Sequence, residues 1–155
     1  LGPLTPFFYP LDKIAKWNRL YGWRGFTQYQ CVLPLEHSRA GLRQLLTRIA
    51  ATGLGSFLAV LKCLGDDPAG PLSFPRAGYT LALDFPWTPK ALALLDELDR
   101  IVLDHGGRLY LAKDARMTAA TLAAGYPELE DFYSLKHRLD PHNRFQSLQS
   151  ARLGL

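Results

Sequence analysis

Two long amphipathic patterns, separated by two strand-like runs, constrain this chain more than any other feature. Residues 36–52 place Leu42, Leu45, Leu46 and Ile49 at helical spacing and stop at Gly53. Residues 88–105 repeat the pattern, with Pro89 in the first turn and Ala91, Leu94, Leu95, Leu98, Ile101 and Val102 on one side. The runs 56–65 and 79–86 lie between them. A further run, 25–34, precedes the first helix, and the last, 108–112, follows the second across Gly106-Gly107. The order β-α-β-β-α-β predicts an α+β fold of the split βαβ, or ferredoxin-like, kind: one antiparallel sheet with two covering helices. Two helices cover one face of such a sheet. Its other face must meet water, a ligand or another domain.

Outside this core, residues 11–21 have helical spacing, and 66–78 form a Pro/Gly-rich loop long enough to suggest a lid or contact surface. Extra C-terminal helices are expected at 118–124, 127–139 and 148–153. The strand period of two sorts side chains by face. Thr27, Tyr29, Cys31 and Leu33 are expected toward the helices, as are Phe57, Ala59, Leu61 and Cys63, and Tyr79, Leu81, Leu83 and Phe85. The open face then carries Gln28, Gln30, Lys62, Thr80 and Asp84 among small or apolar residues, which suits a ligand wall or a domain interface.

The chain has 155 residues, enough for one domain with a real core, and its net charge of +4 permits an anionic ligand without requiring one. No apolar run approaches the roughly 20 residues that span a bilayer, and no signal peptide is expected in the opening LGPLTPFFYP, which lacks a basic n-region and a clean apolar stretch. The chain starts at Leu1 and its single methionine is Met117, so a piece of a longer protein is expected. Cys31 and Cys63 sit in apolar runs and read as two buried reduced thiols. His37, His105, His137 and His142 show no metal-ligand spacing, so no metal site is expected.

The stretch GGRLYLAKDAR (106–116) raises a question of its own, because a core-like strand ends on Lys113 with Asp114 and Arg116 behind it. The segments WNRLYG, QYQ, GGRLYLAKD and LDPHNRF, in this order and spacing, resemble the C-terminal portion of decaprenylphosphoryl-β-D-ribose 2-oxidase-like enzymes, FAD-linked oxidases of the vanillyl-alcohol-oxidase-like superfamily. The resemblance runs from end to end of the chain. It implies that residues 1–155 are a substrate-binding cap domain, and that the N-terminal FAD-binding domain is absent from them. The reaction implied is oxidation of the 2-hydroxyl of a polyprenyl-phosphate-linked ribose by hydride transfer to FAD, a step toward an arabinose donor for the cell envelope. A partner resembling a short-chain reductase would complete the epimerisation. The implied setting is the cytoplasm, with peripheral membrane contact through the lipid substrate.

By the same resemblance, Lys113 lies at the flavin–substrate junction as the catalytic cation, and Tyr110 beside it is flavin-proximal. Gln30, Lys62 and Thr80 match substrate-pocket positions, with Gln28 their neighbour. A fixed cation at Lys113 can stabilise developing negative charge, and a partly desolvated lysine can also move a proton. Two positions depart from the pattern. Ala82 stands where a cysteine is usual, and Thr80 where an asparagine is usual.

Plainer readings stand beside these. Lys113 can be a solvated strand-end lysine, and Lys62 an edge residue that discourages strand pairing. Gln28 and Gln30 can serve an interdomain contact. Asp114 and Arg116 are expected to pair with each other or to cap the next helix. The rival class is a non-catalytic ligand- or RNA-binding module of the same topology. RNA recognition asks for aromatics on the open sheet face, but Tyr29, Tyr79 and Phe85 fall on the helix side, so no nucleic-acid partner is expected.

Overall fold

The computed structural model describes residues 15–16, 19, 22–65 and 70–155. Most of the helix expected at 11–21, and the first part of the 66–78 loop, lie outside the described residues. Four strands form one antiparallel sheet: β1 (Phe26–Pro34), β2 (Ala59–Leu64), β3 (Gly78–Pro86) and β4 (Arg108–Leu109), in the order β2-β3-β1-β4. Helix α1 (Leu35–Thr52) joins β1 to β2, and α2 (Pro89–Asp104) joins β3 to β4. Three short helices follow: α3 (Ala119–Gly125), α4 (Leu129–Leu139) and α5 (Leu148–Leu153). This is the expected α+β arrangement.

The local chemistry sets the helix ends. Helix α1 follows Pro34 directly; Ser38 Oγ donates back to Leu33 O and Pro34 O, and Gly53 stops the helix in the left-handed conformation. Thr88 caps α2 by accepting from Ala91 N, and Pro89 fits the first turn because its missing N–H costs nothing there. Gly106 turns the chain back with a φ of 67°, and a Cβ on Gly107 would sit 2.5 Å from Val32 O. That contact explains the glycine pair: one residue makes the turn, the other lets β4 dock against β1.

The core lies between the helices and the inner face of β1 and β3, where Cys31, Leu33, Leu81, Leu83 and Phe85 meet Leu45, Ile49, Leu94, Leu95 and Leu98. Three expectations are corrected here. The second strand was expected to bury its apolar set, yet Leu61 is 55% and Phe57 73% exposed. The helices pack mainly on β1 and β3, and α2 also on β4, leaving the β2 edge poorly covered. For the same reason Cys63 is an exposed thiol while Cys31 is buried. The fourth strand was expected to run to residue 112 but ends at Leu109, because Tyr110 begins a single 3-10 turn, Leu111–Lys113, closed by Lys113 N donating to Tyr110 O at 3.0 Å.

The outer sheet face is not fully open. Val32, Thr80 and Asp84 point that way by alternation and are nonetheless buried. The described part of the Pro/Gly-rich loop crosses this face: Phe74 stacks on Tyr110 with ring centroids 4.4 Å apart, and Ser73 O accepts from Arg108 Nη1 at 2.8 Å. Among the described residues, no helix is long and apolar enough to cross a membrane.

Candidate functional site

Strand register lays the outer-face residues out in rows, successive rows being about 7 Å apart along the strands. Lys62, Thr80, Val32 and Arg108 share the first row. Val60, Ala82 and Gln30 share the second, and Tyr110 joins it by donating its backbone N–H to Gln30 O at 2.9 Å. Asp84 and Gln28 are paired in the third.

The 3-10 turn brings Lys113 to this third row. Its Nζ donates to Gln28 Oε1 at 2.7 Å, and Gln28 Nε2 donates to Asp84 Oδ1 at 3.1 Å. A cation at the amide oxygen and a carboxylate at the amide nitrogen fix which way the amide points. Gln28 therefore links a buried carboxylate, 2% exposed, to an exposed ammonium. The ammonium keeps further N–H groups to offer a ligand. One row away, Gln30 Nε2 donates to Thr80 Oγ1 at 3.1 Å, which orients that amide as well.

The structure thus brings Gln28, Gln30, Thr80, Tyr110 and Lys113 into one surface. Lys62 shares the outer face but stands apart, two rows and two strands from Gln28. Asp84 was placed on this face by alternation but given no part in the site. Its partnership with Gln28 could not be read from sequence, because it depends on the β1–β3 register.

The turn is held by charges on both sides. The expectation that Asp114 and Arg116 pair with each other or cap the next helix gives way to two separate clamps, with one link between the residues, from Arg116 N to Asp114 Oδ1 at 3.0 Å; Thr118 caps the next helix. Arg116 donates to Asp99 Oδ1 at 2.7 Å and Asp96 Oδ1 at 2.6 Å, both on α2. Asp114 pairs with Arg152 of α5 at 2.7 Å. Burial alone would raise the Asp114 pKa, but the bonds from Arg152, Met117 N and Arg116 N outweigh it and hold the carboxyl below its ordinary value. Tyr29 is buried in the Asp99–Arg116 cluster, and burial raises its pKa well above the usual tyrosine value.

A cleft of about 20 Å³ opens between β1 and the turn, lined by Gln28, Gln30, Tyr110, Lys113, Asp114 and Arg116 among others. It has room for little more than one water, so any larger ligand lies over the surface, not inside it. Larger grooves lie elsewhere, one of about 790 Å³ along α1 beside Arg39 and Arg43 and one of about 620 Å³ beside α4 and α5. Neither contains the hydrogen-bonded polar rows. Among the described residues, no group of three His, Cys, Asp or Glu side chains is placed to hold a metal.

Sequence comparison gives this surface a context. Residues 84–153 match the family of D-arabinono-1,4-lactone oxidase. The chain is 42% identical over 152 residues, 98% of its length, to decaprenylphosphoryl-beta-D-ribose oxidase of Mycolicibacterium smegmatis. It is 44% identical over 115 residues, 74% of its length, to an uncharacterized protein encoded in the mprA 5′ region of Streptomyces coelicolor. It spans about a third of the length of each of these curated relatives, 33% and 31%.

Proposed function

We propose that this chain, related to the C-terminal region of FAD-linked oxidases, is a substrate-binding cap whose outer sheet face forms one wall of an alcohol-oxidising site. The observation that carries the reading is the Lys113–Gln28–Asp84 network, a polar constellation on the sheet face opposite the two long helices. The small cleft supports it, because a site so shallow needs a second wall. In this reading an N-terminal FAD-binding domain, outside the 155 residues, supplies that wall.

The donor set fits a flavin at its edge. An exposed ammonium and a tyrosine ring stacked on Phe74 line the same cleft, and both suit the rim of a planar, electron-accepting ring. Bound FAD would supply the two-electron oxidation. Lys113 holds a positive charge beside the reacting hydroxyl and donates to it, which favours negative charge developing there. Gln28 keeps the ammonium in place. Gln30, oriented by the buried Thr80 hydroxyl, presents its amide to a sugar, and Lys62, further along the face, suits a phosphate. Lys113 is exposed in this chain, so a proton-transfer role needs burial supplied by the opposing wall.

The substrate that fits best is a polyprenyl-phosphate-linked ribose, oxidised at its 2-hydroxyl, with a short-chain reductase acting next. Any membrane contact would come through the lipid.

The test uses a protein joining this chain to its flavin domain. A visible spectrum is taken before and after anaerobic addition of a polyprenyl-phosphoribose. Bleaching of the flavin is the expected result, with Lys113→Met retaining FAD and slowing bleaching by roughly 10²–10³-fold. A flavin that never bleaches would remove the substrate, and no flavin would remove the oxidase reading. The 155-residue chain alone is expected to be colourless.

A further inference from the structure

We infer that Asp114, gripped by Arg152 of α5, is a positioning residue that fixes where the Lys113 ammonium sits. The inference rests on the role proposed for Lys113. A lysine side chain has four rotatable carbons, so placing its charge requires a fixed backbone beneath it. The backbone here offers little rigidity of its own: β4 pairs with β1 through two residues, and the turn after it has three.

Besides the Arg116 clamp to α2, the turn is held from α5, more than 30 residues later. Gln149 Nε2 donates to Leu111 O at 2.7 Å, at the start of the turn. Arg152 Nη1 donates to Met117 O, just beyond its end. Between these points both side chains reach Asp114 Oδ2, Arg152 at 2.7 Å and Gln149 at 3.4 Å. Asp114 Oδ1 accepts from Arg116 N at 3.0 Å and Met117 N at 2.7 Å. The Asp114 side chain, 5% exposed, is thus the hub of the segment that carries Lys113.

Helix α5 has six residues, too few to be stable alone. It is fixed by a capping box between Ser147 and Ser150 and by Leu153, which is fully buried. Two of its polar side chains therefore act from an anchored base. The bonds that hold Asp114 below its ordinary pKa also keep the carboxylate charged, so the grip persists into acid.

The test has two readouts. The first is the Gln28 side-chain amide resonance in the 155-residue chain, which reports the Lys113 contact without flavin or substrate. Arg152→Ala and Asp114→Asn are expected to move it toward its position in Lys113→Met. Arg152→Lys, which keeps a charge on Asp114 but loses the planar fork, should give an intermediate shift. Arg144→Ala, in the same C-terminal region, should leave it unmoved. The second readout is turnover in the flavin-containing protein, where Asp114→Asn should lower kcat about tenfold, with a smaller change in KM, because a displaced ammonium weakens the reacting geometry. Asp114→Asn is nearly isosteric and tests the idea even if Arg152→Ala fails to fold. An unmoved Gln28 amide in a folded Asp114→Asn, or an equal shift from Arg144→Ala, would overturn the inference. Wild-type protein without turnover would count against the proposed function instead, and the amide readout would still decide the clamp.

Discussion

The two edges of the sheet occupy matching places in the two halves of the fold and are held in opposite ways. The β2 edge has six residues of ladder, yet its side chains are poorly covered, with Leu61 and Phe57 mostly exposed. The β4 edge has a ladder of two residues, yet Leu109 is buried and the turn beyond it is tied down by Asp99, Asp96 and Arg152. Ladder length alone does not decide how firmly an edge is placed. Backbone pairing aligns a strand, whereas packing and charged hydrogen bonds fix side-chain position to the tolerance that chemistry needs. Tyr110 and Lys113 of the candidate site come from the edge held by side chains.

The sharpest way to break this comparison is Arg116→Ala. It leaves Asp99, 4% exposed, buried without its cation. The expected loss is about 3–5 kcal/mol by urea denaturation. A loss under about 1 kcal/mol would mean the β4 edge is held no better than β2.

Asp114→Asn should cost less, about 1–2 kcal/mol at neutral pH, since the amide oxygen still accepts backbone N–H groups. Its pH dependence has a definite sign. The folded state holds the Asp114 pKa down, so the stability it contributes is present above the ordinary carboxylate pKa of about 4 and lost as pH falls through the lower folded value. The gap between wild type and Asp114→Asn should therefore stay level from neutral pH to about 4 and narrow below it. A gap that narrows well above pH 4 would contradict the clamp.

The smallest effect is expected at the other edge. Leu61→Ser removes an exposed side chain and should change stability by less than about 0.5 kcal/mol. A loss above about 1.5 kcal/mol would show that the β2 edge is covered in solution after all.

The residues alone carried much of the fold. Period-two and helical spacings, with the glycine and proline stops, located four strands and both long helices, because burying one apolar face forces those periods. The same alternation put Gln28, Gln30, Lys62, Thr80 and Asp84 on one face, and the resemblance of the AKD segment drew attention to Lys113. Three things depended on tertiary structure. Whether β2 would be covered was settled by where the helices pack, a long-range outcome that its own apolar pattern does not contain. The end of β4 at Leu109 was settled by the 3-10 turn, since the run through Ala112 reads equally well as strand. The partners of Asp114 and Arg116 were settled by α5 and α2, which bring in Arg152, Asp96 and Asp99 from distant parts of the chain. Periodicity is a local consequence of burial and can be read locally. Register, strand ends and ion-pair choice arise when separate segments meet, and they decided how Lys113 is held.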